Sequence, residues 1–295
     1  MTARILVPVD GCEQSEAILP YAEEMSHRLG APVTLLHVLP PSLHEQRALH
    51  ESYIAGLADR TRQRLRDSGV DVTGVVLEGK PNREIADYAA RADIGLIAAA
   101  PHSQSSGGHW TIGRTADKVI RESSKPVLLA AGIATPQHAE DGILSDILVP
   151  LDGSRASREV LPHVESLLRS ARLAGRGRLC LTHVIPADHY ASGPLIARRI
   201  PYTGTELEEL NDQASRYLLE VVSLLRSPGR QIEIRVTVGD PATRILETAM
   251  ALGANLIAMT THGYSGFSRL FLGSVADRVL HTTTIPLLLV KPVIY

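Results

Sequence analysis

The sequence repeats itself. Ile5-Leu6-Val7-Pro8-Val9-Asp10-Gly11 returns as Ile147-Leu148-Val149-Pro150-Leu151-Asp152-Gly153, and the match runs on from Ser15 to Ser157 and from Leu19-Pro20 to Leu161-Pro162, all at an offset of 142. His37-Val38-Leu39-Pro40 matches His183-Val184-Ile185-Pro186 at 146, and Gly79-x-Pro81 matches Gly239-x-Pro241 at 160. From there 160 holds without gaps, through Leu96-Ile97-Ala98, Gly113, Ala116-Asp117 and Pro126 onto Leu256-Ile257-Ala258, Gly273, Ala276-Asp277 and Pro286. Ordered correspondence at this density means that one unit was duplicated, so any fold must be built twice. Small and polar residues from Ala131 to Asp146, with Gly132, Pro136 and Gly142, read as a connector, and the boundary is placed near 138, giving domains 1–138 and 139–295.

Within each copy, strand and helix patterns alternate. Ile5-Leu6-Val7, Val33-Thr34-Leu35-Leu36, Val72 to Leu77, Gly95 to Ala99 and Pro126 to Ala130 are apolar runs without period-two alternation, as expected of strands covered on both faces of a parallel sheet. The segments between them read as helices. One is expected from about Leu43 to Arg66; its counterpart steps through Leu207, Leu210, Ala214, Leu218, Val221 and Leu225, with Thr205-x-x-Glu208 as a capping box. Five strands and four helices per copy predict an α/β fold of two tandem, open, parallel five-stranded sheets with flanking helices. Ligands of such sheets sit beyond the carboxyl ends of the strands. The last strands, Val127 to Ala130 and Leu287 to Val290, would lie at sheet edges and need a partner.

Composition narrows the function. With 30 basic and 32 acidic side chains the net charge is −2, without the basic excess of a nucleic-acid binder. Aromatics are 4% of the chain, which leaves little for base stacking. The two cysteines, Cys12 and Cys180, make neither a disulfide framework nor a metal-ligand spacing, and a reducing cytoplasm is the expected location. No segment approaches the ~18 apolar residues of a membrane span, and no membrane association is expected.

The richest stretch runs from Met259 to Ser274, between the strand pattern Leu256 to Met259 and the helical pattern Val275 to Leu280. A glycine-bearing loop from strand to helix presents backbone N–H groups, and the helix N-terminus adds its dipole, an arrangement suited to phosphate. Ser274 is open to two readings: a cap, completed by Asp277 in a Ser-x-x-Asp box, or a hydroxyl turned to a phosphate.

These motifs together resemble the universal stress protein family in its tandem-domain form. Nucleotide-binding members carry Gly-x-x-Gly, nine residues, then Gly and Ser or Thr; here Gly263, nine residues and Gly273-Ser274 keep the second part, while Thr260 replaces the first glycine. The resemblance covers both halves nearly end to end, including Pro150-x-Asp152-Gly153-Ser154 and His183-Val184. It implies a Rossmann-like fold of the adenine nucleotide alpha-hydrolase type and ATP as ligand, with Mg²⁺ carried on its phosphates. It further implies that Asp152, in the Pro150-Leu151-Asp152 strand end, contacts ribose or adenine and that Val184 lines the base. Gly263, Gly273 and Ser274 would hold the phosphates, helped by the N–H groups of Val275 and Ala276, and Met259, Thr260 and His262 would complete the nucleotide-binding set. Thr at 260 is tolerable at negative φ and strongly disfavoured at positive φ.

The first copy departs further. Ala100 and Ser103 stand at the two leading glycine positions, Gly113 is kept, and Arg114 replaces the serine. A weaker N-terminal site is expected from Val9, Asp10, Val38, Gly113, Arg114 and Thr115.

Plainer roles stand beside these. Asp10 and Asp152 also suit turns closed by Gly11 and Gly153, and His37 and His183 read as structural histidines at strand ends. Cys12 reads as an inert thiol bordering a pocket, His262 lacks a legible carboxylate partner for acid–base work, and Tyr264, Ser265 and Ser268 are loop hydroxyls open to phosphorylation. The expected protein binds an adenine nucleotide and acts as a nucleotide-dependent regulatory or scaffold protein of the stress response. Two alternatives stay open: a slow ATP hydrolase or self-phosphorylating enzyme, although no Walker lysine is present, and a nucleotide-free dimerising scaffold. The family's edge strands pair between domains, so a contact between the halves and a homodimer of the whole chain are expected.

Overall fold

The computed structural model describes residues 3–101, 113–130, 142–170, 178–192, 197–225, 231–263 and 272–293. The first half runs β1 (Arg4–Pro8), α1 (Glu13–Glu16), α2 (Leu19–Leu29), β2 (Val33–Leu39), α3 (Arg47–Arg64), β3 (Val72–Glu78), α4 (Pro81–Ala89), β4 (Ile94–Ala99), α5 (Arg114–Glu122) and β5 (Val127–Leu129). The second half repeats the order as β6 (Ile147–Pro150), α6 (Arg155–Arg158), α7 (Val160–Ser170) and β7 (Arg178–Ile185). It then inserts an antiparallel hairpin, β8 (Asp188–Ser192) and β9 (Ala197–Pro201), and resumes with α8 (Gly204–Leu224), β10 (Gln231–Val238), α9 (Pro241–Leu252), β11 (Leu256–Thr260), α10 (Ser274–Thr282) and β12 (Leu287–Val290). The hairpin occupies the stretch where the sequence offset grows, and its strands were not legible beforehand.

Outside that hairpin, the strand pairs within each half are parallel, in the order β3-β2-β1-β4-β5 and β10-β7-β6-β11-β12. The contact expected between the halves is made by the last strand of each. β5 and β12 pair antiparallel, Leu287 with Leu129, Leu288 with Leu128 and Leu289 with Val127, so the ten strands form one continuous sheet. Edge strands this apolar lose least when their open N–H and C=O groups meet each other. A side chain crosses the same seam: the Lys291 ammonium donates to the Arg121 carbonyl at 2.6 Å.

Burial explains the missing alternation. All seven residues of β2 and all four of β6 and β12 are buried, because helices cover both faces of the sheet. One apolar cluster gathers α2, α3, α7 and α8 on one face, and a second gathers α4, α5, α9 and α10 on the other.

Two local expectations are corrected. The capping box of α8 is Thr203 with Glu206, two residues before the pair read from sequence, because β9 ends at Pro201 and Thr203 already takes the extended cap conformation. The helix expected from Leu43 begins as a 3-10 segment, Pro41–Gln46, and turns α-helical at Arg47. Position 138 lies outside the described residues.

Candidate functional site

A cavity of about 370 Å³ opens at the carboxyl ends of β6, β7 and β11, where the chain order reverses on either side of β6. All twelve C-terminal residues singled out from the sequence line it: Pro150, Leu151, Asp152, Val184, Met259, Thr260, His262, Gly263, Gly273, Ser274, Val275 and Ala276. Ser157, Thr182, His183, Pro186, Pro241, Ile245 and Thr261 also line it and were missed as site residues. Thr182 carried a readable signal, a hydroxyl directly after the apolar run Leu179-Cys180-Leu181, where the first copy has Leu36.

Two glycine contacts shape the cavity. The backbone at Gly153 turns with φ +87°, and the Asp152 carboxylate closes that turn by accepting from the Ser154 N–H at 2.9 Å. The other carboxylate oxygen lies against Gly263, where an added Cβ would stand 2.0 Å from Asp152 Oδ2. Asp152 therefore takes its turn role and still faces the cavity; the helix cap belongs to Ser154, whose hydroxyl accepts from Ser157 N. At the opposite wall a Cβ on Gly273 would approach the Thr261 carbonyl at 3.0 Å, and the Gly273 N–H donates to that same carbonyl at 2.8 Å. Close backbone approach is thus required at both glycines kept from the motif.

Thr260 ends β11 in extended backbone, so the β-branched side chain meets no conformational penalty. Its hydroxyl donates to the His262 carbonyl at 2.8 Å and braces the turn that a glycine would leave unbraced.

The Ser-x-x-Asp box at α10 is corrected. Gly273 is the cap residue, at φ −61° and ψ 146°, without a side-chain hydrogen bond, and Ser274 is the exposed first residue of the helix. Helical bonding begins with the Asp277 N–H on the Gly273 carbonyl, so the N–H groups of Ser274, Val275 and Ala276 precede the helical ladder and stand at the cavity. The helix is anchored by Arg278, which pairs with Asp240 at 2.7 Å; that contact and the Thr243 hydrogen bonds hold the Asp240 carboxyl at about 2.

His262 sits at this end. Its Nδ1 lies 3.0 Å from the Thr261 hydroxyl, and its Nε2 is buried without a partner. Burial, then the charges of Lys291 and Arg121, lower its pKa, which favours the neutral ring. Deeper in the cavity the Thr182 hydroxyl, on a fully buried side chain, also lacks a partner. Two of the three buried side-chain polar atoms without a partner among the described residues therefore belong to residues that line this one cavity.

The strand-end histidines are structural in both halves. His183 Nδ1 donates to the Leu151 carbonyl at 2.8 Å and His37 Nδ1 to the Val9 carbonyl at 2.9 Å, and burial lowers both pKa values.

In the first half Val9 and Val38 are buried at the strand ends, and Asp10 closes its turn on the Cys12 N–H at 3.0 Å. Cys12 is itself the cap of α1, its Sγ accepting from Ser15 N. Gly113 is the cap of α5, and Arg114, exposed, and Thr115 are its first residues. The loop between, with Ser103, lies outside the described residues, as do Tyr264, Ser265 and Ser268. Among the described residues no group of three His, Cys, Asp or Glu side chains could hold a metal, and no helix is long and apolar enough to cross a membrane.

The family model for universal stress proteins matches residues 1–131 and again 144–291. A universal stress protein of Mycolicibacterium smegmatis is 26% identical over 98% of this chain and 97% of its own length, and one of Mycobacterium tuberculosis is 22% identical over 97% and 94%. Among solved structures, a universal stress protein from Archaeoglobus fulgidus superposes over 99% of both chains with a TM-score of 0.73 at 19% identity, a likeness of fold.

Proposed function

The chain belongs to the universal stress protein family, and from that premise we propose that its C-terminal half binds ATP and that occupancy regulates the two-half assembly. One observation carries the reading: backbone N–H groups, glycines too close to their neighbours for a Cβ, an acceptor carboxylate and two unsatisfied polar atoms converge on one cavity at the strand ends. Its size falls in the range of small-molecule sites.

The residues fit the ligand's chemistry at each end. Ser274, Val275 and Ala276 offer N–H groups and the positive end of α10 to phosphate oxygens, and His262 adds a ring nitrogen in a field made positive by Lys291 and Arg121. Asp152 accepts from a ribose hydroxyl, while Val184, Ile245, Met259, Pro186 and Pro241 give a base apolar surroundings. Mg²⁺ would enter on the phosphates, since Asp152 is the one carboxylate among the described cavity residues. ATP itself supplies charge and a splittable anhydride; among the described residues of the lining there is no lysine and a single acid, which is engaged in a turn, and this favours binding over hydrolysis.

Regulation follows from position. Lys291, one of the two cations that act on His262, crosses the seam to the Arg121 backbone carbonyl, so charge arriving at the phosphate end changes the electrostatics of the joint between halves. The first half, with Val9, Asp10, Val38, Gly113, Arg114 and Thr115, is the weaker site. In the full reading the protein is a cytoplasmic regulator of the stress response.

Isothermal titration of the full chain with ATP, together with mass spectrometry of small molecules released on denaturation, tests the site. Asp152→Ala should weaken binding at least tenfold. No heat, no released nucleotide and no thermal shift in millimolar ATP would refute the assignment.

A further inference from the structure

Joining the halves closes two of the four edges of the component sheets and leaves β3 and β10 at the ends. The two remaining edges differ. β3 reads Val72-Thr73-Gly74-Val75-Val76-Leu77-Glu78, uncharged through its centre, whereas β10 carries Glu233 and Arg235 on one face about Ile234.

The backbone of β10 fixes which groups face outward. Gly239 N donates to the Ile185 carbonyl, and the register with β7 is unbroken from Gln231 to Val238. In a parallel ladder alternate residues turn both their N–H and C=O toward a given neighbour. The odd-numbered residues therefore bond to β7, and Ile232, Ile234 and Val236 present theirs to the open side.

We infer that this edge pairs with β10 of a second copy, antiparallel about a two-fold axis at Ile234. In that register Ile234 pairs with itself and Ile232 with Val236, and the outward groups of the three residues exchange six hydrogen bonds across the axis. Glu233 falls opposite Arg235 of the second copy, and Arg235 opposite its Glu233. These are non-hydrogen-bonded positions, where side chains stand closest. A ladder keeps outward residues opposite outward residues, so the axis moves only in whole-residue steps. One step either way sets Glu233 on Glu233 or Arg235 on Arg235, and the charges thus select one register.

Within one chain Glu233 and Arg235 pair at 2.5 Å and are each about one-third exposed, so they are available to a facing strand. The same register sets Thr237, the third residue with a buried and unpartnered hydroxyl, opposite Gln231. Leu219 and Leu224, exposed on the helix that covers this edge, add apolar surface beside it. An isologous contact of this kind closes as a dimer, whereas β10 against β3 of another copy would propagate as a filament.

Sedimentation equilibrium of the full chain from about 1 to 200 μM tests it, with Glu233→Arg, Arg235→Glu and the double exchange followed beside the wild type. The wild type should dimerise. Each single exchange should raise the dissociation constant tenfold or more, since symmetry applies it twice and attraction becomes repulsion. The double exchange restores opposite charges across the axis and should return to within about threefold of wild type; thermal midpoints show that all four chains are folded. A chain monomeric throughout, a dimer indifferent to the single exchanges, a double exchange that fails to restore, or growth beyond the dimer would each overturn the inference.

Discussion

Gly263 and Asp152 make a sharp test of how the cavity is built. Gly263 is not among the glycines with positive φ, so alanine meets no backbone strain there and acts only through its Cβ. That atom would stand 2.0 Å from Asp152 Oδ2 and 3.0 Å from its Cγ. Ordinary contact begins near 3.4 Å, so the carboxylate must withdraw by about 1.4 Å. Withdrawing pulls it away from the Ser154 N–H, now at 2.9 Å, and because that bond is exposed its net contribution is about 0.5–1.5 kcal/mol. Gly263→Ala should therefore destabilise by about 1 kcal/mol, and in the Asp152→Ala background by much less, because the clashing oxygen is gone. Urea unfolding of the four chains in the double-mutant cycle measures this, and ATP titration should show the same loss of additivity. Additive costs within about 0.3–0.5 kcal/mol would refute the contact.

Thr182→Val should have opposite effects on the empty and occupied protein. A methyl in place of an unpartnered buried hydroxyl removes a penalty of about 1–3 kcal/mol, raising the apo midpoint, while ATP affinity should fall about tenfold once the ligand loses that polar contact; an unchanged apo midpoint would contradict the unsatisfied hydroxyl. For pH, burial lowers His37, His163, His183 and His262 below the ordinary 6.5. The unfolded chain then takes up protons that the folded chain refuses, so stability should drop as pH falls through about 6.5 and keep dropping until the folded rings titrate. Urea midpoints from pH 8 to 5 that stay flat or rise would exclude this. Leu128→Ala, at a fully buried seam residue paired with Leu288, should cost about 2–5 kcal/mol by calorimetry, and a surface-like cost below 0.5 kcal/mol would deny that the seam is core.

The layering and most of the cavity were legible because both rest on local rules. Apolar runs without alternation marked β2, β6 and β12 as covered strands, and glycine spacing marked Gly263 and Gly273 before any contact was visible. The illegible parts depend on groups distant in sequence. Asp152 against Gly263 joins residues 111 apart, and the Thr260 hydroxyl bracing the His262 carbonyl depends on the turn already existing. Ser274 looked like a cap by residue type, yet the cap is set by backbone dihedrals, and Gly273 holds them. The β8–β9 hairpin escaped because Asp188–Ser192 and Ala197–Pro201 lack the apolar period that marks a core strand.

Duplication also left two different solutions beside the same histidine. Tyr53 meets the His37 ring edge-on at 5.9 Å, as Tyr217 meets His183 at 6.1 Å, so these tyrosines correspond and His50 corresponds to Ala214 three residues earlier. His50 stacks on His37 at 4.8 Å, and its Nδ1 lies 2.8 Å from His37 Nε2. Since His37 Nδ1 donates to the Val9 carbonyl, its Nε2 must be the acceptor, and both nitrogens of the first-copy ring are engaged. The small buried side chain of Ala214 supplies no such donor, and His183 stays on the lining of the cavity. Tyr53 donates to Glu16 at 2.8 Å, while at the matching place Arg158 lies over the Tyr217 ring at 4.6 Å. An acid in the first copy and a cation in the second thus stand behind the strand ends, and for a polyanionic ligand that difference favours the second half even before the phosphate loops are compared.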